Sequence, residues 1–394
     1  MKICIVPTMF PKYKGDYYGS FVYDEAKELV KRGNEVHVLT QHNPRIPYEE
    51  IMDGIIVHRF RWSEPKKFKA LVHFTGVVDT LRIFTLSISL FFNLFRLTYK
   101  NDFNIIHAHS TVPTGLVAVL VSKIMKIPLF ITVHGMDVNN YIEHPLKHLI
   151  SFTLKNCDMV ITVSNDLAKK VKSLGVDGNN IKILKNAVDT NRFKPANIQK
   201  IRKKYNINEK DILILFVGYL DTFKGVFELL DAFYELSKKR ENIKLMMVGE
   251  GPKITELKNK VSEFELEKLV IFTGKISHKI IEEYYQSADI FVLPSYTEGI
   301  PLSVLEAMAC GLPIISTKIG GIPEIIEEGK NGFLVYPKDK KELEMFLDYL
   351  IQDPDLKKTY ARNSIQLINK GFKIKSKINQ LINLYLEFNK QKTS

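Results

Sequence analysis

Residues 294–313 read Pro-Ser-Tyr-Thr-Glu-Gly-Ile-Pro-Leu-Ser-Val-Leu-Glu-Ala-Met-Ala-Cys-Gly-Leu-Pro. Ile290-Phe291-Val292-Leu293 before it is a short apolar run that Pro294 stops, the pattern of a buried strand. A helix begins near Leu302, with Pro301 suited to its first turn, so the stretch is strand, loop and helix, the join of a βα unit. The unpaired N–H groups and positive dipole end of that helix form an anion site, and Gly299 lets a phosphate or sugar oxygen approach the backbone. A carboxylate at Glu306, about a turn further on, can accept both hydroxyls of a ribose, while Glu298 on the loop can reach the far end of a diphosphate. Taken singly, both acids read as solvated helix-end carboxylates. The apolar neighbours of Glu306 (Val304, Leu305, Ala307, Met308, Ala309) and the later turn Gly320-Gly321-Ile322-Pro323-Glu324 favour a built site.

The same alternation of short β-branched runs and longer amphipathic stretches extends in both directions. Strands are expected at 3–7, 35–40, 55–60, 105–109, 129–133, 159–163 and 181–185, then at 212–217, 243–248, 270–273, 290–293, 313–317 and 332–335. Gly33 reads as a helix C-terminal glycine and Ser164 as an N-cap. The polar stretch 186–195 reads as a linker, which gives an α/β chain of two doubly wound domains with ligands at the carboxyl ends of the strands and a cleft between the domains. Ile374, Ile378, Leu381, Ile382, Tyr385 and Leu386 at helical spacing make a last helix that needs another surface to bury its stripe. The divisions are placed at 1–187, 188–371 and 372–394.

Composition narrows the chemistry. The 394 residues, 45% apolar, can bury sizeable cores. Cys4, Cys157 and Cys310 are too far apart for a disulfide framework or a CxxC zinc site. Net charge is +12, and it is uneven: residues 1–200 carry 27 basic and 17 acidic groups, residues 201–394 carry 29 and 27. A phosphate-bearing or anionic partner is therefore expected on the first half. Met1-Lys2 leads into too short an apolar run for a secretory signal, and the apolar stretch 83–95 is interrupted by Thr85, Ser87, Ser89 and Asn93, so a cytoplasmic chain without a membrane span is expected. No GxGxxG follows the first strand, which argues against a nicotinamide enzyme, and charge alone without a reading motif does not make a nucleic-acid binder.

With these residues in view, the sequence resembles the retaining glycosyltransferase family 4, whose hallmark is Glu-x7-Glu, here Glu298 to Glu306. The run PS–EG–PLSVLEAMACGLPII and the later GGIPEII are similar to the family's own. Asn186-Ala187-Val188-Asp189 resembles its NGVD with Ala187 for glycine. The resemblance implies the GT-B fold: two Rossmann-like domains facing each other across a cleft, acceptor-side first and nucleotide-sugar-binding second, the last helix packing back on the first. It implies that Glu306 holds the nucleotide ribose, that Glu298 lies near the donor sugar, and that amides of Gly299, Ile300, Pro301 and Leu302 frame sugar and phosphates (Pro301 itself offering no N–H). The family's GR followed by KG is met by Gly218-Tyr219 and Lys224-Gly225, so Lys224 carries the leaving-group charge where Tyr219 stands for the arginine. Gly249 and Gly251 resemble the GxGP turn beside the nucleotide, and Lys275-Ile276 the position where backbone meets the base.

In the first half, a strand ends in His134-Gly135-Met136-Asp137. A lone histidine is usually a packed or surface residue; the resemblance assigns His134 a catalytic or positioning role, with Asp137 supporting the turn or a sugar hydroxyl. Of His107 and His109, only one is expected to face the cleft, and no third metal ligand is evident. Gly15 and Gly19, in a loop with Tyr17 and Tyr18, are placed by the resemblance on the sugar and acceptor side, as is His109. Lys66, Lys67, Lys69, Arg82, Arg96 and Lys100, around Phe68, Leu71, Val72, Phe74 and the apolar run, suit either an anionic bilayer surface or a buried helix. The resulting expectation is a glycosyltransferase using a nucleoside diphosphate sugar, UDP-sugar favoured, without a metal or other cofactor. Its acceptor is a glycan or lipid-linked molecule in surface polysaccharide or glycolipid synthesis. A GT-B sugar-nucleotide 2-epimerase and a noncatalytic nucleotide-sugar-binding subunit are the alternatives.

Overall fold

A computed structural model describes residues 1–62, 77–139, 141–142 and 144–393, with side chains described outside 77–82 and 391–393. Lys66, Lys67, Phe68, Lys69, Leu71, Val72 and Phe74, and the side chain of Arg82, lie outside the described residues. The chain forms two compact units, Met1–Leu184 with Ile378–Ser394, and Lys185–Lys377.

The first unit runs β1 (Lys2–Pro7), α1 (Ser20–Lys31), β2 (Glu35–Gln41), β3 (Glu49–Met52), β4 (Ile55–Phe60), α2 (Val77–Tyr99), β5 (Ile105–His109), α3 (Leu116–Met125), β6 (Leu129–Val133), α4 (Met136–Asn139), α5 (Lys147–Lys155), β7 (Met159–Thr162), α6 (Asn165–Ser173) and β8 (Ile181–Ile183). Its sheet has the order β3-β4-β2-β1-β5-β6-β7-β8. Every neighbouring pair is parallel except β3 on β4. β3 was not anticipated: Glu49-Glu50-Ile51-Met52 is a charged edge strand that buries only Met52, so no apolar run announces it. Fully buried strands such as Ile131 and Val133 in β6 read as continuous apolar runs because helices cover both sheet faces. Helix α2 has two characters. Leu86, Leu90 and Leu94 are buried in the core, while Phe84 (62% exposed), Ile88, Phe92 (64%) and Tyr99 (75%) line its outer side. The buried-helix reading holds for one face, and the other face is exposed.

The second unit holds α7 (Gln199–Lys204), β9 (Ile212–Val217), α8 (Val226–Ser237), β10 (Ile243–Val248), α9 (Ile254–Glu263), β11 (Val270–Gly274), α10 (Ile281–Ser287), β12 (Ile290–Leu293), α11 (Leu302–Ala309), β13 (Ile314–Thr317), β14 (Gly332–Val335), α12 (Lys340–Gln352) and α13 (Pro354–Gly371). All six strands are parallel in the order β11-β10-β9-β12-β13-β14, so the order reverses between β9 and β12. Helix α8 buries Leu229, Leu230, Phe233 and Leu236 against this sheet, each burial favouring the fold by about 1.5–3 kcal/mol. Asp353 accepts from the Leu356 N–H and caps α13, with Pro354 at the first position, so Asp353-Pro354-Asp355 is a helix start.

The stretch 186–195 is not a free linker. Asn186 Nδ2 donates to the Ile300 carbonyl at 2.8 Å, Val188 N to the Phe372 carbonyl at 2.9 Å, and Phe193 is buried in the second core. These bonds pull the unit boundary to 184/185 rather than 187/188. Helix α14 (Ile374–Thr393) opens with Ile374 N donating to the Val188 carbonyl at 3.0 Å, so the other boundary falls at 377/378 rather than 371/372. Further along α14, Tyr385 is fully buried in the first unit, its ring edge-on to Phe130 at 5.0 Å.

Candidate functional site

In the second unit the site grows at the β9/β12 reversal, the point in an open parallel sheet where loops from neighbouring strands run to opposite faces. The loop after β9 carries Gly218 through Gly225. Gly225 has φ +69°, and a Cβ there would lie 2.0 Å from the Pro294 carbonyl oxygen, so only glycine lets this turn lie against the end of β12. That approach brings Lys224 Nζ to 2.5 Å from Glu298 Oε1, with both side chains largely buried. The sequence reading gave these residues separate duties; the fold makes them one ion pair. Gly321 N donates to the Gly299 carbonyl at 2.9 Å, which ties the Glu298-Gly299 loop to the turn after β13.

Ile300 is buried, Pro301 is the residue before the helix proper, and Leu302 opens α11. Pro301 therefore sits at the cap rather than in the first turn. Glu306, on the second turn, receives a 2.6 Å hydrogen bond from the Tyr285 hydroxyl. Burial first, then the Glu306 charge, push the Tyr285 phenol well above its ordinary value, so the hydroxyl remains a donor. Tyr285 was missed, because in Glu282-Glu283-Tyr284-Tyr285 it looks like an ordinary apolar position of α10. Tyr296 was missed too: its hydroxyl donates to Glu228 Oε1 at 2.5 Å and Lys338 Nζ lies 5.3 Å from its ring.

Tyr219 is half-buried, and its phenol is raised by burial and by Asp221 and Glu250, so it offers a neutral hydroxyl where an arginine was expected. Gly218 N donates to the Val248 carbonyl and Leu220 N to the Glu250 carbonyl, each at 3.0 Å, which locks this loop to the one bearing Gly249 and Gly251. Lys275, exposed, and Ile276 follow the edge strand β11, reached through Gly249 N donating to the Gly274 carbonyl at 3.1 Å.

The first unit carries a second constellation at the ends of β5 and β6. His134 is half-buried after β6; Asp137 Oδ1 accepts from the N–H groups of His134 (3.1 Å) and Gly135 (3.0 Å) and so holds the turn. Burial pushes the Asp137 carboxyl up to about 6 against the lowering effect of those N–H groups. His134 Nε2 lies 3.1 Å from His109 Nδ1, the two rings stacked, and Phe21 meets His134 edge-on at 4.7 Å. The expectation that only one of His107 and His109 faces this side is corrected: positions two apart on a strand share a face, and their rings lie 4.4 Å apart. Glu25 of α1 stands beside both, its Oε1 3.4 Å from His109 Nε2 and 3.8 Å from His107 Nδ1.

Glu25, His107 and His109 thus supply the third group the sequence lacked, with possible ligand atoms within 4.8 Å of one another. His107, however, spends both nitrogens, Nε2 on Thr132 Oγ1 at 2.7 Å and Nδ1 on the Tyr385 hydroxyl at 2.6 Å. With both nitrogens so engaged, His107 has none to spare as a ligand, while His109 Nε2 makes no hydrogen bond among the described residues and only faces Glu25 at ion-pair range. Gly19, at φ +72°, lies so close to the Met9 carbonyl that a Cβ would be 2.3 Å from its oxygen. It closes the loop onto the start of α1, while Gly15 sits half-buried earlier in that loop.

Comparison with known proteins follows the same division. Residues 19–192 match the family described as Glycosyltransferase Family 4, and residues 197–367 match Glycosyl transferases group 1. The N-acetyl-alpha-D-glucosaminyl L-malate synthase of Bacillus anthracis is 25% identical over 390 residues, 98% of this chain and 97% of that protein. TuaC of Bacillus subtilis, named for teichuronic acid biosynthesis, is 28% identical over 374 residues, 87% of each chain. Sucrose-phosphate synthase from Thermosynechococcus elongatus superposes with a TM-score of 0.82 at 20% identity, covering 98% of each chain. Anabaena HepE, solved with UDP-glucose, gives 0.77 at 21% identity over 98% of this chain and 99% of that one. Both solved structures share the two-domain GT-B fold. The chain belongs to glycosyltransferase family 4, with its group 1 domain in the second unit, and is a glycosyltransferase.

Proposed function

We propose that this glycosyltransferase transfers a sugar, with retention of configuration, from a nucleoside diphosphate sugar, UDP-sugar favoured, to a glycan or lipid-linked acceptor in surface polysaccharide or glycolipid synthesis. The observation that carries the reading is the buried Lys224–Glu298 pair at the β9/β12 reversal, beside the start of α11. A lysine held there meets the charge of a departing diphosphate, and amides opening α11 meet the same oxygens. Glu298 holds Lys224 in place and turns toward the donor sugar; Glu306, anchored by Tyr285, takes the ribose hydroxyls. His134 lies on the sugar side, positioned by Asp137. HepE is described in complex with UDP-glucose and shares the fold, which favours the uridine donor.

The chemistry needed is stabilisation of a leaving diphosphate and of a positively charged sugar carbon. Attack occurs on the face the diphosphate leaves, so the bond from sugar carbon to phosphate oxygen breaks as the acceptor oxygen bonds to that carbon, and the acceptor proton passes to the departing phosphate. Lysine and helix amides suffice for the leaving charge without a metal. The acceptor side is read from the basic first half and from the exposed Phe84, Ile88, Phe92 and Tyr99 of α2, near Arg96 and Lys100. Such a face suits an anionic bilayer surface, with the chain working in the cytoplasm and docking peripherally on the inner leaflet. No helix among the described residues is long and apolar enough to cross a membrane.

The deciding assay measures transfer and hydrolysis over UDP-, GDP- and ADP-sugars for wild type, Glu306→Ala and His134→Ala. Glu306→Ala is expected to lose donor binding and His134→Ala to lose turnover with binding kept. Wild-type activity in both variants would remove the site assignment, and sugar epimerisation without acceptor would mark a 2-epimerase instead. Cosedimentation with phosphatidylglycerol vesicles, lost in Phe84→Ser/Phe92→Ser, tests the bilayer arm.

A further inference from the structure

The first unit buries a carboxylate among histidines at a place where ordinary packing would put apolar side chains. Glu25 is 3% exposed, His109 2% and His107 and Tyr385 fully buried. A buried carboxylate and imidazoles are costly unless partnered, so the order of their contacts carries information about protons.

The order starts at α14. Burial, then Glu25, raise the Tyr385 phenol well above its ordinary value, so its hydroxyl keeps its proton and donates to His107 Nδ1 at 2.6 Å. His107 must then carry its own proton on Nε2, which it donates to Thr132 Oγ1 at 2.7 Å. With His107 Nδ1 acting as an acceptor, His109 is the ring that can offer Glu25 a proton. Its Nε2, which makes no hydrogen bond elsewhere among the described residues, faces Glu25 Oε1 at 3.4 Å, at ion-pair range. A proton on His109 Nε2 makes His109 Nδ1 an acceptor. His134 Nε2, 3.1 Å away, is then the donor.

We infer that Glu25 and His109 form a positioning relay that fixes the tautomer of His134, with the proton on Nε2 and the basic nitrogen at Nδ1. The inference rests on the placement of His134 at the donor sugar proposed above. Neither Glu25 nor His109 need touch substrate: they decide which nitrogen of His134 is basic and hold its ring plane through the stack. The charged and titratable groups around this relay are Glu25 from α1, His107 on the same strand as His109, Asp137 from α4 and Tyr385 from α14.

The test is nitrogen-15 spectroscopy of the full chain labelled at histidine, together with the pH dependence of kcat. Wild type is expected to show His134 protonated at Nε2. In Glu25→Gln, His134 is expected to become a mixture of tautomers, with kcat down about tenfold or more, donor KM within about twofold, and the acid limb of the kcat profile displaced. Glu25→Asp, which keeps the charge, restores part of both. A wild-type His134 protonated on Nδ1 overturns the relay whether or not any variant folds. An unchanged tautomer in Glu25→Gln overturns it as well, and so does stoichiometric zinc in the wild type that Glu25→Gln loses. His134→Ala with full turnover would instead sink the functional reading, while the tautomer measurement still decides the relay.

Discussion

The two units solve the problem of a buried polar site in opposite ways. The second unit sets one lysine against one carboxylate, at 2.5 Å, and lets backbone groups do the rest. The first unit uses neutral-capable groups, three histidines, a tyrosine and a threonine, around a single buried glutamate, and adds an aspartate whose carboxyl is pushed up to about 6. A fixed ion pair suits holding a permanent anion across the physiological range. A histidine network suits placing protons, and the buried Asp137 carboxyl beside it makes this unit the one to examine by pH.

The sharpest way to strain this contrast is to break the ion pair. Lys224→Ala leaves Glu298 buried without its cation and is expected to cost about 3–5 kcal/mol in urea unfolding, whereas Lys224→Met/Glu298→Leu recovers most of it. A single-variant loss under about 1 kcal/mol would show that the pair is solvated and that the contrast with the first unit is false.

Asp137 tests the pH side. Its folded value lies above that of the unfolded chain, so the protonated form is favoured in the fold. The resulting stability is fully present below about pH 4 and is lost as pH rises through about 6, a change on the order of 2–3 kcal/mol. Asp137→Asn should therefore gain on wild type between pH 4 and pH 7 when unfolding is measured at both. Parallel curves would remove the pH sensitivity claimed for this turn.

Smaller effects sharpen the donor side. Tyr285→Phe keeps the packing and deletes the hydroxyl that holds Glu306, and should weaken donor binding by about 1–2 kcal/mol in calorimetry. Equal binding would mean that Glu306 needs no anchor. Tyr219→Arg adds a second cation to a site that holds its lysine in an ion pair, and should lower donor KM by a few-fold, an effect of about 1 kcal/mol that fades with salt. A gain that persists in high salt would point to packing, not charge.

How well each site could be read from the sequence follows from how it is built. Glu298, Gly299, Pro301 and Glu306 lie within nine residues of each other, on a strand, loop and helix whose apolar pattern marks their place. The succession of strands and helices along the chain likewise follows from the alternating runs. What escaped depends on contacts between distant segments. Glu25 looks like any acid on an amphipathic helix until α1 packs over β5, and Tyr285 and Tyr385 look like core positions until their hydroxyls find partners. The misjudged histidines were a different failure, since the strand period of two already put His107 and His109 on one face. Residues 186–195 misled through polarity: Asn186 reads as exposed, yet its amide is spent on a buried carbonyl.

Tyr385 has one more implication, for the order in which the chain can mature. The interior of the first unit contains a group that leaves the ribosome after the entire second unit has been made. Until that tyrosine arrives, His107 waits in an incomplete interior, so the imidazole machinery of the early half reaches its finished state only after the later half has been made.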